Sequence, residues 1–147
     1  MLDTLIKYAA VYLSSMIKFV FGPITGLAQD LSFWETALFT VLGMMTAVLI
    51  ITLLGSKARA WLITRLKLEH RFTKKSERLK EIWSKYGIPG IAFITPLLLT
   101  PIGGSVLAIM LGGSRKKIIK YMFLSAVLWA FTISFVFDRL GAAVFGF

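Results

Sequence analysis

Apolar residues fall in long unbroken blocks along this chain, and charged residues gather between them. Uncharged tracts cover residues 36–56 (21 residues), 86–114 (29 residues) and 121–137 (17 residues). About 18–20 apolar residues suffice to cross a hydrocarbon core about 30 Å thick. The pattern therefore predicts an all-α integral membrane protein, read as a single domain over residues 1–147. Residues 33–54 form the cleanest spanning helix, and 118–137 a second. Residues 2–21 are apolar around Lys7 and Lys18 and stop at Gly22-Pro23. They are long enough for a full crossing or for one leg of a hairpin.

Residues 57–85 are basic, with apolar positions at helical spacing: Trp61, Leu62 and Leu66, then Leu79, Ile82, Trp83 and Tyr86. This predicts two amphipathic helices lying in a headgroup layer. The next tract, 86–114, is bracketed by basic residues and broken in its middle by Thr95-Pro96, Thr100-Pro101 and Gly103-Gly104. Two full crossings would need about 40 residues, so the tract is expected to enter and return as a re-entrant hairpin. Irregular backbone at that depth is tolerated only where it is buried in protein or lines a wet cavity. That makes its tip a candidate site.

An internal repeat is also visible. Gly22-Pro-Ile-Thr-Gly-Leu-Ala28 resembles Thr100-Pro-Ile-Gly-Gly-Ser-Val-Leu-Ala108, each followed by a polar step and an apolar helix. The expected architecture is an inverted repeat, residues 1–56 and 86–147, joined by the basic linker at 57–85. Each unit is a re-entrant broken helical hairpin plus a transmembrane helix, a layout of many transporters.

Charge refines this picture. Lys and Arg number 17 against 7 Asp and Glu, yet charged residues make up only 16% of the chain, where soluble domains carry about 25%. Ten of the basic residues lie within 57–85, and Arg115, Lys116, Lys117 and Lys120 follow the third tract's predecessor. Clusters flanking apolar tracts mark the cytoplasmic side of a bacterial inner membrane. The expected partners are membrane lipids, with anionic headgroups at 57–85, and not nucleic acid. The start lacks a basic n-region and Lys18 interrupts any apolar core, so a cleaved signal peptide is not expected. There is no cysteine, and the single His70 lies in a basic stretch. No carboxylate cluster suggests a metal. An enzyme, a metal and a cofactor are therefore not expected.

The candidate chemistry lies in the breaks. Threonine at N-cap and proline at N1 start helices, so Thr100-Pro101 and Gly22-Pro23 are expected to open two returning legs at buried tips. Helix N-termini attract anions, which suggests a phosphate site built from Lys18, Gly22, Pro23, Thr25, Gly26, Thr95, Pro96, Thr100, Pro101, Gly103, Gly104 and Ser105. Glu35 is the candidate coupling carboxylate. The stripe Gly104, Ala108, Gly112, with Gly22 and Gly26, allows close backbone approach, between the hairpins or in a homodimer.

The run from Lys85 to Ala108 (KYGIPGIAFITPLLLTPIGGSVLA), followed by a Gly step and the helix holding Trp129, resembles the second half of the DedA/VTT superfamily. It is most similar to that superfamily's short branch of small multidrug-export membrane proteins, over residues 20–137. The resemblance implies paired re-entrant hairpins and movement of polyprenyl phosphate or phospholipid across the bilayer. The chain departs from the family in having no charged residue from 94 to 105, where arginine is usual, and no acidic residue in the first tip. The leading expectation is a phosphate-lipid transporter, flippase or scramblase. Export of cationic drugs is the alternative, and a non-transporting scaffold or holin-like oligomer the second.

Overall fold

The computed structural model describes residues 1–54, 60–61, 64–65, 68–110 and 112–145, without the side chains of 68–80, 82–83 and 144–145. The described chain is all-helical: α1 (Leu2–Ile17), α2 (Phe21–Ala28), α3 (Phe33–Leu53), α4 (Leu68–Leu98), α5 (Pro101–Met110) and α6 (Arg115–Phe145). Two stretches, Phe33–Leu53 and Arg115–Ala143, are long and apolar enough to cross a membrane. At 1.5 Å per residue, α2 and α5 are about 12 and 15 Å long, half a hydrocarbon core or less.

Local chemistry sets the helix ends. Ser32 and Glu35 form a reciprocal capping box at the start of α3, satisfying donors that the first turn leaves open. The end of α2 is a Schellman turn: Leu31 donates to the Gly26 carbonyl (3.0 Å) and Asp30, at φ 54°, to that of Leu27 (3.2 Å). The end of α5 repeats it, with Gly113 donating to Ala108 (2.9 Å) and Gly112, at φ 90°, to Ile109 (3.0 Å). Both geometries return orphan carbonyls to hydrogen bonding at a left-handed residue.

Each short helix folds back on the helix before it. In the second pair, a Cβ on Gly104 would lie 2.3 Å from Thr95 Oγ1, and one on Gly113 would lie 3.1 Å from Ile88 Cδ1. These partners are about equally far from the break at Leu99–Thr100, the signature of antiparallel legs. In the first pair, a Cβ on Gly22 would meet Ser15 Oγ, and Lys7 Nζ donates to the Gln29 carbonyl (2.9 Å). The break here lies at Lys18–Val20.

Side-chain ties orient the legs. Tyr8 Oη donates to Glu35 Oε1 (2.5 Å) and Tyr12 Oη to Thr46 Oγ1 (2.6 Å), so α1 runs parallel to α3. Ile88 lies by Ile118 across Gly113, and Trp129 Nε1 donates to the Phe93 carbonyl (2.9 Å), so the end of α4 runs parallel to α6. Between α3 and α6 the sense is opposite. Phe33 and Trp34 pack on Phe131, while Met44, Met45 and Val48 share the buried core with Ile118 and Met122.

Two expectations are corrected by the structure. Gly22-Pro23 does not stop the first leg: α1 ends at Ile17, and Pro23 is the third residue of α2. A proline without N–H is tolerated there because first-turn donors have no intrahelical acceptor. Ser14 and Ser15 both donate to the Val11 carbonyl (3.0 and 2.6 Å), a pattern that bends helices. Second, Pro23 does not open a capped helix, since α2 begins at Phe21 and its N-cap residue, Val20, makes no side-chain cap. Helix α4 consists of two helical stretches that meet at a kink at Gly87, at φ 65° and ψ −148°, a conformation that only glycine adopts cheaply and that lies two residues past Lys85, where the basic stretch is expected to end. Within the linker, Trp61 is exposed and Thr64 donates to the Ala60 carbonyl; the side chains of Leu62, Leu66, His70, Leu79, Ile82 and Trp83 lie outside the described residues.

Candidate functional site

The second break is built by its sequence. Pro96 cannot donate to the Ala92 carbonyl, which weakens the last turn of α4, and a residue preceding proline avoids the helical region, which frees Thr100 before Pro101. Thr100 Oγ1 then accepts from Gly103 N (3.0 Å), and its carbonyl accepts from Gly104 N (2.8 Å). Pro101, Gly103, Gly104 and Ser105 are buried, and Ser105 Oγ donates to the Pro101 carbonyl (2.6 Å). Thr95 is fully buried against Gly104 and donates to the Ile91 carbonyl (2.7 Å), with Pro96 buried beside it.

The first break is built differently. Phe21 N donates to the Lys18 carbonyl (3.0 Å) and Gly22 N to that of Phe19 (3.1 Å). Gly22 and Pro23 are buried, Gly26 lies against Thr36, and Thr25 is half-buried. Lys18 is exposed, in extended backbone at the break, with its ammonium 5.5 Å from the Phe21 ring centroid.

These contacts bear directly on the anion site expected at the tips. In α2 the Phe21 and Gly22 donors go to the Lys18 and Phe19 carbonyls, in α5 those of Gly103 and Gly104 go to Thr100, and Pro23 and Pro101 have none to give. Lys18 is the charged group at a break. The two sets of residues are joined through apolar packing, since Phe19 and Leu99, one from each break, belong to one buried core.

Glu35 has a structural role that the capping pattern in the sequence could have revealed. Its Oε2 accepts from Ser32 N (3.0 Å) and Ser32 Oγ (2.7 Å), and its Oε1 from Tyr8. The pairing with Tyr8, 27 residues earlier, carries no sequence signal. Also missed is a small pocket between α2, α3 and α6, lined by Thr36, Ser134 and Asp138 among apolar residues. Ser134 and Asp138, four apart, share a helix face, but nothing in the sequence brings Thr36 to them.

The fold and its two candidate spans define an all-α protein with membrane-crossing potential. Compared with known proteins, the chain matches no family model, no curated protein and no solved structure.

Proposed function

We propose that this chain is a multi-pass protein of a bacterial inner membrane that moves phosphate-bearing lipid headgroups across the bilayer, with Lys18 meeting the phosphate. In this reading it consists of two inverted units, each a re-entrant hairpin followed by a spanning helix. Support for the repeat comes from equivalent turns: the Schellman residues Asp30-Leu31 and the helix-opening Ser32 correspond to Gly112-Gly113 and Ser114. Each hairpin's first leg runs parallel to its own long helix, and the two long helices run opposite ways. The DedA/VTT-like run at 85–108 falls on the second hairpin, and lipid movement is the activity that resemblance implies.

The observation that carries the function is the place of Lys18. Ser15 packs on Gly43, the middle residue of the 21 in α3, and Lys18 follows three residues later at the break. A lysine at mid-bilayer costs about 2.5–3.5 kcal/mol on insertion scales and marks a functional site by default. Its ammonium rests on the Phe21 ring rather than on a carboxylate, which leaves it available to an anionic headgroup. Glu35, the carboxylate a cationic-drug exporter would use, has both oxygens engaged, which favours the lipid reading.

Two experiments test this. In reconstituted vesicles, Lys18→Gln is expected to slow movement of anionic lipids more than of zwitterionic ones, with Lys18→Arg retaining it; equal rates in all three proteins would overturn the assignment. In cells, single Ser84→Cys and Ser114→Cys variants are expected to react only with a thiol reagent supplied to the cytoplasmic side. Labelling of the Ser114→Cys protein from outside would remove both the re-entrant hairpin and the inverted repeat.

A further inference from the structure

The hydroxyls of this molecule follow one habit. Ser15, Thr40, Thr52, Thr95, Ser105 and Thr132 each donate to the carbonyl four residues back, the usual way for a buried helical hydroxyl to be satisfied. Ser125 and Ser134 do not: they are 6% and 4% exposed, and neither Oγ has a hydrogen-bond partner. A buried hydroxyl without a partner is costly, and Ser134 lies where a small ligand could reach it.

Ser134 lines the pocket between α2, α3 and α6, which holds about 20 Å³. That is room for one water-sized species, which needs about 10–15 Å³. Every polar side-chain atom in the lining is an oxygen: the hydroxyls of Thr36 and Ser134 and the carboxylate of Asp138. The basic neighbour in sequence, Arg139, is turned to the Phe135 ring, 5.1 Å from its centroid. Leu27 and Leu31, also in the lining, bring the carbonyl-bearing C-terminal turn of α2, the negative end of that helix.

From this we infer that the pocket is a binding site for a single monovalent cation of sodium size, held by Ser134 Oγ, Thr36 Oγ1 and the Asp138 carboxylate. Oxygen-only ligands select hard cations. One carboxylate suits a single positive charge, whereas a divalent ion in a protein cage draws on several. The volume admits the ion without its hydration shell. Because the ligands come from α3 and α6, with Asp138 at the exposed mouth, and α2 lines the remaining side, occupancy would clamp the first hairpin to both long helices. The site stands independently of lipid movement.

The test is binding and stability of the full chain in detergent, at constant ionic strength, with sodium replaced by potassium or by N-methylglucamine. Sodium is expected to raise the unfolding temperature saturably and above the other two cations, as a ligand of the folded state must. Ser134→Ala and Asp138→Asn are expected to abolish that dependence, while Asp30→Asn, outside the pocket, keeps it. Radiolabelled sodium should bind saturably at one ion per chain, a measurement on unaltered protein that decides the matter if a variant fails to fold. Equal unfolding temperatures in the three salts, or no saturable sodium binding, would overturn the inference and leave a single bridging water in the pocket.

Discussion

In the second hairpin the reversal rests on Pro96, Thr100 and Pro101, with a threonine hydroxyl capping the returning helix. The first hairpin reverses at Lys18–Val20 with neither proline nor glycine at the break and no side-chain cap on α2. What it has instead is Phe19, completely buried at the turn, two serines drawing on one carbonyl before it, and two tight backbone bonds after it. One reversal is held by local backbone chemistry and the other by the burial of an aromatic anchor. The comparison shows that similar chain paths can rest on interactions with very different sequence signatures.

The largest effect should come from closing the space between legs. A Cβ on Gly104 would lie within 2.9 Å of three Thr95 side-chain atoms, and one on Gly22 within 2.9 Å of Ser15 Oγ and two Thr40 atoms. Overpacking of this kind costs about 1–3 kcal/mol, so Gly104→Ala and Gly22→Ala should each lower the unfolding temperature clearly. The rescues should not cross. Thr95→Ala should recover part of the loss in Gly104→Ala only, and Thr40→Ala part of that in Gly22→Ala only. Rescue of either variant by the other hairpin's partner would show that the legs do not pair as described.

A smaller effect separates the two breaks. Thr100→Val removes the oxygen that accepts from Gly103 N and should cost about 1 kcal/mol, as lost N-caps do; Thr100→Ser should restore it. Val20→Thr offers the first hairpin the same hydroxyl at its N-cap position, but Val20 sits at φ −61° and ψ −26°, helical rather than the extended geometry capping requires. It should therefore be close to neutral. Thermal unfolding of the four proteins checks this, and stabilisation by Val20→Thr would mean the first break relaxes to a capped form like the second.

The same contrast explains what the sequence disclosed. Thr100-Pro101 declared a helix start because capping is local; α6 opens at Arg115, earlier than the 118 expected from hydropathy, just after the left-handed turn that the glycines at 112–113 favour. Pro23 misled, since proline suits any position of a first turn, and only tertiary packing of Phe19 fixes where that turn begins. Gly87 was silent because one glycine between Tyr86 and Ile88 does not specify its φ. The long helices were legible from hydropathy alone. The pocket at Ser134 was not, because three residues more than 90 positions apart at the extremes meet only through packing.

The smallest effect concerns the ties between each hairpin and its long helix, Tyr8 to Glu35 in the first unit and Trp129 to the Phe93 carbonyl in the second. Tyr8 also stacks on Phe39, at 4.4 Å between centroids and 14° between planes, and Tyr8→Phe should keep that stack while losing only the hydroxyl. The expected fall in unfolding temperature is slight, because the pair lies at the protein surface, where water and other donors compete for the carboxylate. Glu35→Gln should fall further, since it also weakens the capping box with Ser32. The decisive quantity is non-additivity: the double variant should lose less than the sum of the singles, because each single already breaks the shared bond. Lipid movement should persist in all three proteins, for Glu35 would act there as a cap and a tie. Additive losses would mean that Tyr8 and Glu35 do not interact, and loss of transport in folded Glu35→Gln would return this carboxylate to the transport mechanism.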